Sequence, residues 1–505
     1  MKKNERKLGV VLTYANIFLN TAVVLLFTPI LINYLGNSGF GLYSLALTIL
    51  TYIALLDFGF GNSIIVFTSK YRASKESERQ KSLYASILVA YIALSVFASF
   101  ALYVFYINIE SNFSSGMSEN EIELFKIIFI IISFNIIFSI PLNLYKSILT
   151  AYERFGFIKL ASLTRTLLTP LLLCISIAFN IDVVGIVLII SVVNFLVLFS
   201  HFLYYYSHIQ FSFSIFDFKL NELKKSVRYS FFIFLALIVD QVNWNFGQFL
   251  LGAYVGSESV AIYAVAILIN MTFLLLSSAV SNVLLPKITK MVELGACNDE
   301  LTGEMIKVGR LQAYIIFSVL FGFLLLGKDF IYLWAGRDYT DAYYLTLMLM
   351  LPLCIPLVQN LGLSILQARN KFAFRAISSF FVSVLTVCFS ILLTKKFSYW
   401  GLASAISIAF FVLNGLVMNI YYHFFGIKVA SFWYEIFKII GVIAISCVPV
   451  FIIKSYFQVE SLFHFILLII IMILIILVFS YKFAFNIYEK KLFLKGINLL
   501  KPHLS

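Results

Sequence analysis

The sequence predicts an all-α polytopic membrane protein with about fourteen transmembrane helices. Three observations carry that expectation. Apolar residues make up 62% of the 505 residues and charged ones only 12%, against roughly half and a quarter in an ordinary soluble domain. Apolar runs of roughly 20 residues, the length that crosses a bilayer, follow one another along nearly the whole chain. Two segments of the first half also recur in the second half at nearly one offset. A soluble core of this length could not hide so much apolar surface, whereas lipid removes the need, provided helices satisfy the backbone internally.

The elements follow in chain order. Met1–Lys7 is basic, and the apolar stretch behind it is long enough to span and shows no small-residue cleavage site. It reads as a retained first helix and not as a secretory signal. The expected spans are 8–33, 41–67, 83–107, 123–148, 157–179, 183–206, 229–254, 258–284, 308–327, 341–367, 374–394, 400–425, 437–457 and 461–482. Between the sixth and seventh, residues 215–227 place Phe216, Leu220, Leu223 and Val227 on one helical face and Asp217, Lys219, Glu222 and Lys224 elsewhere. That pattern reads as an interfacial amphipathic helix. Pro29, Pro141, Pro170, Pro352 and Pro356 lie within spans, where proline kinks a helix. Trp334, Trp400 and Trp433 fall near span ends, as interfacial anchors do.

With the N-terminus inside, thirty of the 37 Lys and Arg lie on the inner side. Six lie outside (Lys126, Lys328, Arg337, Lys395, Lys396 and Lys454), and Arg165 lies within a span. This positive-inside bias puts both ends in the cytoplasm. It also explains the net charge of +13 as cations facing an anionic leaflet, so no nucleic-acid partner is expected. Outer loops are short and no soluble domain interrupts the spans. The five cysteines and five histidines are scattered without ligand spacing, so neither a metal site nor a cofactor is expected.

The repeat sets the architecture. LGNSGFGLYSLA (Leu35–Ala46) aligns with VGSESVAIYAVA (Val255–Ala266), matching Gly36 to Gly256 and Tyr43 to Tyr263. LYKSILTAYERFGF (Leu144–Phe157) aligns with LGLSILQARNKFAF (Leu361–Phe374), with Ser147, Ile148, Leu149, Ala151, Phe155 and Phe157 meeting identical residues. The interval holds an even number of spans, so both copies share one orientation and imply a two-fold axis along the membrane normal. The expected division is a six-helix bundle (1–214), a linker helix (215–227), a second six-helix bundle (228–428) and two extra helices with a tail (429–505).

Ionisable residues at membrane depth are functional candidates by default, at about 2.5–3.5 kcal/mol each on insertion scales. Asp240 lies mid-span in the seventh, and Gln241, Asn245 and Gln248 recur there at helical spacing, with Asn243 between. This stripe reads either as an ion-coupling site and sugar contact in a wet lumen or as a helix-packing hydrogen bond. Asp57, with Gly59 and Gly61 beside it, reads as a coupling group or as a hinge or packing carboxylate. Arg165, about eight residues into the fifth span, could hold a phosphate bidentately or pair with Asp57. Lys146 and Arg228, near inner span ends, are phosphate candidates that could instead snorkel. Asn20, Asn135, Asn143, Asn194, Asn270, Asn282, Gln359, Asn360 and Asn414 supply neutral hydrogen-bonding groups.

The residues resemble a known group. Thr28-Pro29, Tyr34-Leu35-Gly36, Phe40-Gly41-Leu42-Tyr43, Leu56-Asp57-Phe58-Gly59-Phe60-Gly61 and Gln367-Ala368-Arg369-Asn370-Lys371-Phe372 make the chain similar to the Wzx-type flippases of the MOP exporter superfamily over its full length. The resemblance implies oligosaccharide cargo on undecaprenyl pyrophosphate, moved from the cytoplasmic to the outer leaflet for O-antigen or capsule synthesis. It implies alternating access, a proton or sodium ion as coupling ion, a bacterial inner-membrane location and the polysaccharide polymerase machinery as a partner. A drug/cation antiporter of the same superfamily is the alternative. A membrane polymerase or other enzyme is not expected, because it would need a large outer loop or a soluble domain with paired carboxylates.

Overall fold

The computed structural model describes residues 2–369, 371, 373–456 and 461–491, with the side chains of 2–11, 13–15, 54, 232 and 276–286 outside that description. The motif residues Asn370 and Phe372, the side chain of Asn282 and those of the N-terminal cations, and the tail from 492 onward, with Lys495 and Lys501, therefore lie outside the described residues. Among the described residues every regular element is helical.

Polar residues and glycine, more than proline, break the spans. α1 (Lys2–Thr51) continues through Pro29 and turns at Gly36, whose φ is 68°. The second span goes on in two pieces, α2 (Ile53–Leu56) and α3 (Phe60–Ser74), separated by Asp57–Gly59. α4 (Ser77–Ile107) and the short α5 (Ile109–Phe113) follow. α6 (Glu119–Ala151) opens with a reciprocal cap between Ser118 and Glu121 and runs through Pro141. α7 (Phe155–Ala178) runs through Pro170. α8 (Val183–Tyr204) begins where Asp182 accepts from the Gly185 amide at 3.0 Å, which is how so short a link as 179–182 starts a new helix.

The segment expected as a separate amphipathic helix is a 3-10 turn at Ile215–Asp217 followed by the opening turns of α9 (Leu220–Trp244). No Gly or Pro stands between Leu220 and Trp244 to end that helix. α10 (Phe246–Tyr254) completes the seventh span past a break at Asn245. Then come α11 (Ser257–Glu293), α12 (Asn298–Trp334), α13 (Thr340–Val358) and α14 (Asn360–Ala368). α15 (Ala373–Phe410) turns at Ser398, whose φ is 56°. A π-helical turn at Phe411–Val417 leads to α16 (Met418–Phe424), and α17 (Val429–Tyr456) and α18 (Leu462–Phe479) end the described chain's long helices.

Each of the expected spans is mostly helical within the described residues, with short breaks as at Asp57–Gly59 and Asn245. Among the described residues, eleven helices are long and apolar enough to cross a membrane. The 52-residue one, Ala373–Phe424, holds two expected spans joined at Ser398. On α4, Val96, Phe97, Phe100 and Tyr103 are each more than 60% exposed. Such a contiguous apolar face is untenable in water and ordinary in lipid. The chain is a multi-pass membrane protein.

By contact the chain forms two compact units, Met1–Ala264 with Ser379–Leu402, and Val265–Ser378 with Ala403–Ser505. In the first, α6 packs on α8, α4, α3 and α1, and α9 packs on α2, α3 and α4. Contacts thus group the seventh span, which the repeat assigns to the second half, with the first six. Ancestry and packing need not divide a chain at one residue. In the second unit α12 packs on α17, α13 and α18. There the Arg310 guanidinium is 5% exposed and donates to Glu489 at 2.7 and 2.8 Å, to Glu435 at 2.6 Å and to the Ala484 carbonyl at 2.7 Å. This clasp ties the segment after α18 to α12 and α17.

Candidate functional site

The first unit carries the candidate residues Asp57, Lys146, Arg165, Arg228 and Asp240, and the break in the second span positions the first of them. Asp57 follows α2, and its carboxylate Oδ2 accepts from the Gly61 amide at 3.2 Å. It so caps the start of α3, where free N–H groups and the helix dipole favour a negative charge. Oδ1 accepts from the Tyr91 hydroxyl, which is fully buried on α4. Gly61 is needed beside them. A side chain there would begin 3.2 Å from Asp57 Oδ2 and 3.0 Å from the Ser147 hydroxyl of α6.

The break is also strained and fastened. Phe58 has φ 49° and Gly59 has φ 72°, a region that bulky side chains avoid. Phe58 is held there by stacking on Phe234 of α9, with ring centroids 4.3 Å apart. The Ser230 hydroxyl of α9 donates to the Gly59 carbonyl at 3.0 Å. Strain held by surrounding contacts is a mark of a working hinge or site.

Lys146, exposed on α6, lies within electrostatic range of both Asp57 and Arg165. Arg165, exposed on α7, does not pair with Asp57. It donates to Asn194 Oδ1 at 3.1 Å, and Asn194 in turn donates to Asn135 Oδ1 at 2.9 Å. Asn135 donates to the Ser191 carbonyl at 2.6 Å. This chain fixes one edge of the guanidinium and leaves its remaining donors for an anion. Nearby, Asn16 of α1 donates to Ser162 at 2.9 Å and accepts from Thr166 at 2.9 Å.

The polar stripe of the seventh span is built into packing. Thr48 donates to Gln248 Oε1 at 2.8 Å in a buried pair. Thr51 donates to Gln241 Oε1 at 3.0 Å, and Asn245 donates to the same oxygen at 2.8 Å. Asn245 is itself the residue at which α9 gives way to α10. Asn243 is half-buried, while Asp240 and Arg228 are exposed on α9. Twelve residues of helix separate those two, roughly 18 Å, so they cannot grip one phosphate.

The structure therefore leaves Arg165 with Asn194 and apart from Asp57, and joins Gln241, Asn245 and Gln248 to the end of α1. It brings in residues that sequence reasoning passed over: Tyr91, Thr48, Thr51, Ser147 and, on α8, His201. Tyr91 sits in an apolar run where it looks like any buried aromatic. His201 lies seven residues after Asn194, hence on the same helical face, and that spacing is a signal the sequence does contain. Among the described residues no three of His, Cys, Asp and Glu converge, so no metal-ligand set is formed there.

Residues 8–292 match the family described as polysaccharide biosynthesis protein. The chain belongs to that family. The match covers α1 to the last turn of α11, and so all of the residues just described. No curated protein is a significant match. Among solved structures, this polysaccharide biosynthesis protein is similar to lipid II flippase MurJ in an inward closed conformation, with a TM-score of 0.70 and 17% identity over 94% of this chain and 98% of that one. It is also similar to an inward-facing multidrug resistance MATE family transporter, with a TM-score of 0.57 and 16% identity over 82% and 99% of the two chains. A MOP superfamily transporter from Pyrococcus furiosus gives 0.55 and 14% over 85% and 94%. At these identities the likeness is one of fold.

Proposed function

We propose that this protein is a flippase for oligosaccharide units linked to undecaprenyl pyrophosphate. It moves them from the cytoplasmic to the outer leaflet of the bacterial inner membrane by alternating access, for surface polysaccharide synthesis. One observation carries this: in a chain of the polysaccharide biosynthesis family, the Arg165 guanidinium, within the fifth span, is steadied on one edge by Asn194 at 3.1 Å and is otherwise exposed. Arg165 and Lys146 take the pyrophosphate. A planar guanidinium already steadied by Asn194 suits phosphate oxygens. Asp57, at the strained break, is the coupling carboxylate, with a proton or sodium ion as its partner, and Asp240 is a second coupling candidate. Asn243 and Asn245 meet sugar hydroxyls, Gln248 holds the span against Thr48, and Arg228 meets lipid phosphate at the inner surface.

In this reading both termini are cytoplasmic, and the bundles 1–214 and 228–428 descend from one duplication. Gly36 and Gly256, aligned by the repeat, both adopt positive φ, as homologous turns would. Deleting the gene tests the proposal. Lipid-linked repeat units should accumulate inside the cell and surface polysaccharide should disappear. Normal polysaccharide with raised sensitivity to cationic drugs would favour the antiporter instead.

A further inference from the structure

Between α1, α2, α4, α6 and α10 of the first unit lies a groove of about 270 Å³. Ile49, Ala98 and Phe129 are buried along its floor, and Tyr52 and Leu56 line the side that ends at Asp57. Phe97 and Ala101 of α4 stand exposed at its mouth. Toward α5 it is closed by rings. Phe105 packs on Phe129 and Phe249, with centroids 4.9 and 5.6 Å apart, and Phe113 meets Phe249 edge-on at 5.4 Å. No polar atom of the described residues faces the space.

The lining selects the occupant. Water would find no hydrogen-bond partner there, and an empty groove would leave its walls without dispersion contacts on one side. The mouth opens on the face of α4 where Phe97, Phe100 and Val104 are exposed at helical spacing, the surface that only lipid makes tenable. The groove therefore carries the lipid interface inward, and hydrocarbon fits it. At the size of a water molecule per methylene it takes roughly nine of them, about half of an ordinary acyl chain. One turn beyond Phe129 and Phe113, Lys126 of α6 donates to Glu110 of α5 at 2.8 Å at the protein surface. That pair offers a cation to a phosphate and an anion to an ammonium. A zwitterionic headgroup carries both, whereas a polyprenyl pyrophosphate carries only the anion.

We propose that this groove binds one acyl chain of a zwitterionic phospholipid whose headgroup rests on Lys126 and Glu110. The chain descends the exposed face of α4 past Val104 and Phe100, turns in at Ala101 and packs on Tyr52 and Leu56. It thereby supports α2 beside the break at Asp57. With the N-terminus in the cytoplasm the lipid comes from the outer leaflet; the groove and its lining are the same in either orientation.

The test uses the full chain in nanodiscs that contain phosphatidylethanolamine with a photoreactive diazirine near the end of one acyl chain. The labelled peptides are mapped after irradiation. Labelling of residues 49–56 should exceed by several-fold that of the lipid face of α18, where Ile470 and Leu474 are exposed. Ala98→Phe fills the floor. Ala101→Phe blocks the mouth from an exposed position, where the packed interior is not disturbed. Each should bring labelling of 49–56 down to the α18 level and leave α18 unchanged. Labelling of 49–56 no higher than that of α18, or unchanged in both variants, would overturn the site. Label displaced from 49–56 by an equal amount of undecaprenyl phosphate would overturn the phospholipid as its occupant.

Discussion

Tyr91→Phe removes one hydroxyl and nothing else from the break in the second span. The ring, edge-on to Phe60 at 5.8 Å, keeps its packing. What disappears is the donor to Asp57 Oδ1, leaving Oδ2 with the Gly61 amide at 3.2 Å. A hydrogen bond to a charged group contributes about 1.5–3 kcal/mol net. If the transport cycle depends on that bond in the state seen here, flipping slows about 10- to 150-fold. The assay is a double-mutant cycle of flipping rates in proteoliposomes for Tyr91→Phe, Asp57→Asn and the pair. Asp57→Asn should abolish most transport while leaving membrane insertion intact. The double variant should be no slower than Asp57→Asn alone, because both changes strike one interaction. Losses that multiply, or a Tyr91→Phe protein at wild-type rate, would show that the Tyr91–Asp57 bond plays no part in flipping.

Three further outcomes are expected. Thr48→Val leaves the buried Gln248 amide without its donor, a cost of about 1–3 kcal/mol, and Thr48→Val with Gln248→Leu should recover thermal stability in detergent that the single change loses. Gly59→Ala should lower the yield of folded protein. Its φ of 72° strains any side chain, and the new Cβ would lie 3.1 Å from Ile233 and 3.3 Å from the Ser230 carbonyl; the backbone term alone is about 1–2 kcal/mol. Arg310→Ala strands Glu489, which is 4% exposed, and breaking a buried pair costs about 3–5 kcal/mol. That variant should expose the segment after Ala484 to protease, whereas Arg310→Lys should protect it only in part, since lysine cannot bridge both carboxylates as a fork.

The spans were legible because lipid imposes one simple rule on sequence: roughly 20 apolar residues per crossing, with cations gathered on one side. The breaks were legible only in part: Gly59 and Gly61 marked Asp57 as a hinge candidate, whereas nothing marked Asn245. Prolines at 29, 141 and 170 pass within continuous helices, while Asn245 and the Asp57–Gly59 segment interrupt theirs. A proline's missing donor can be absorbed by the fold. A side chain that finds a better partner than its own helix, as Asp57 does in Tyr91 and Gly61, ends the helix, and such partners are visible only in three dimensions. Arg165 illustrates the same limit. Its depth marked it as a candidate, but its partner, Asn194, comes from a different span. Gln248 looked like a lumen-facing group by spacing, and packing against Thr48 occupies it.

The proposed cargo is a lipid-linked saccharide. The most direct measurement reconstitutes the purified protein in proteoliposomes with a fluorescent oligosaccharide on undecaprenyl pyrophosphate, and follows its arrival in the opposite leaflet by accessibility to an impermeant glycosidase. Protein-dependent exposure that Arg165→Ala abolishes is the expected result. Saccharide that stays inaccessible, in vesicles whose protein does carry a cationic drug across, would contradict it.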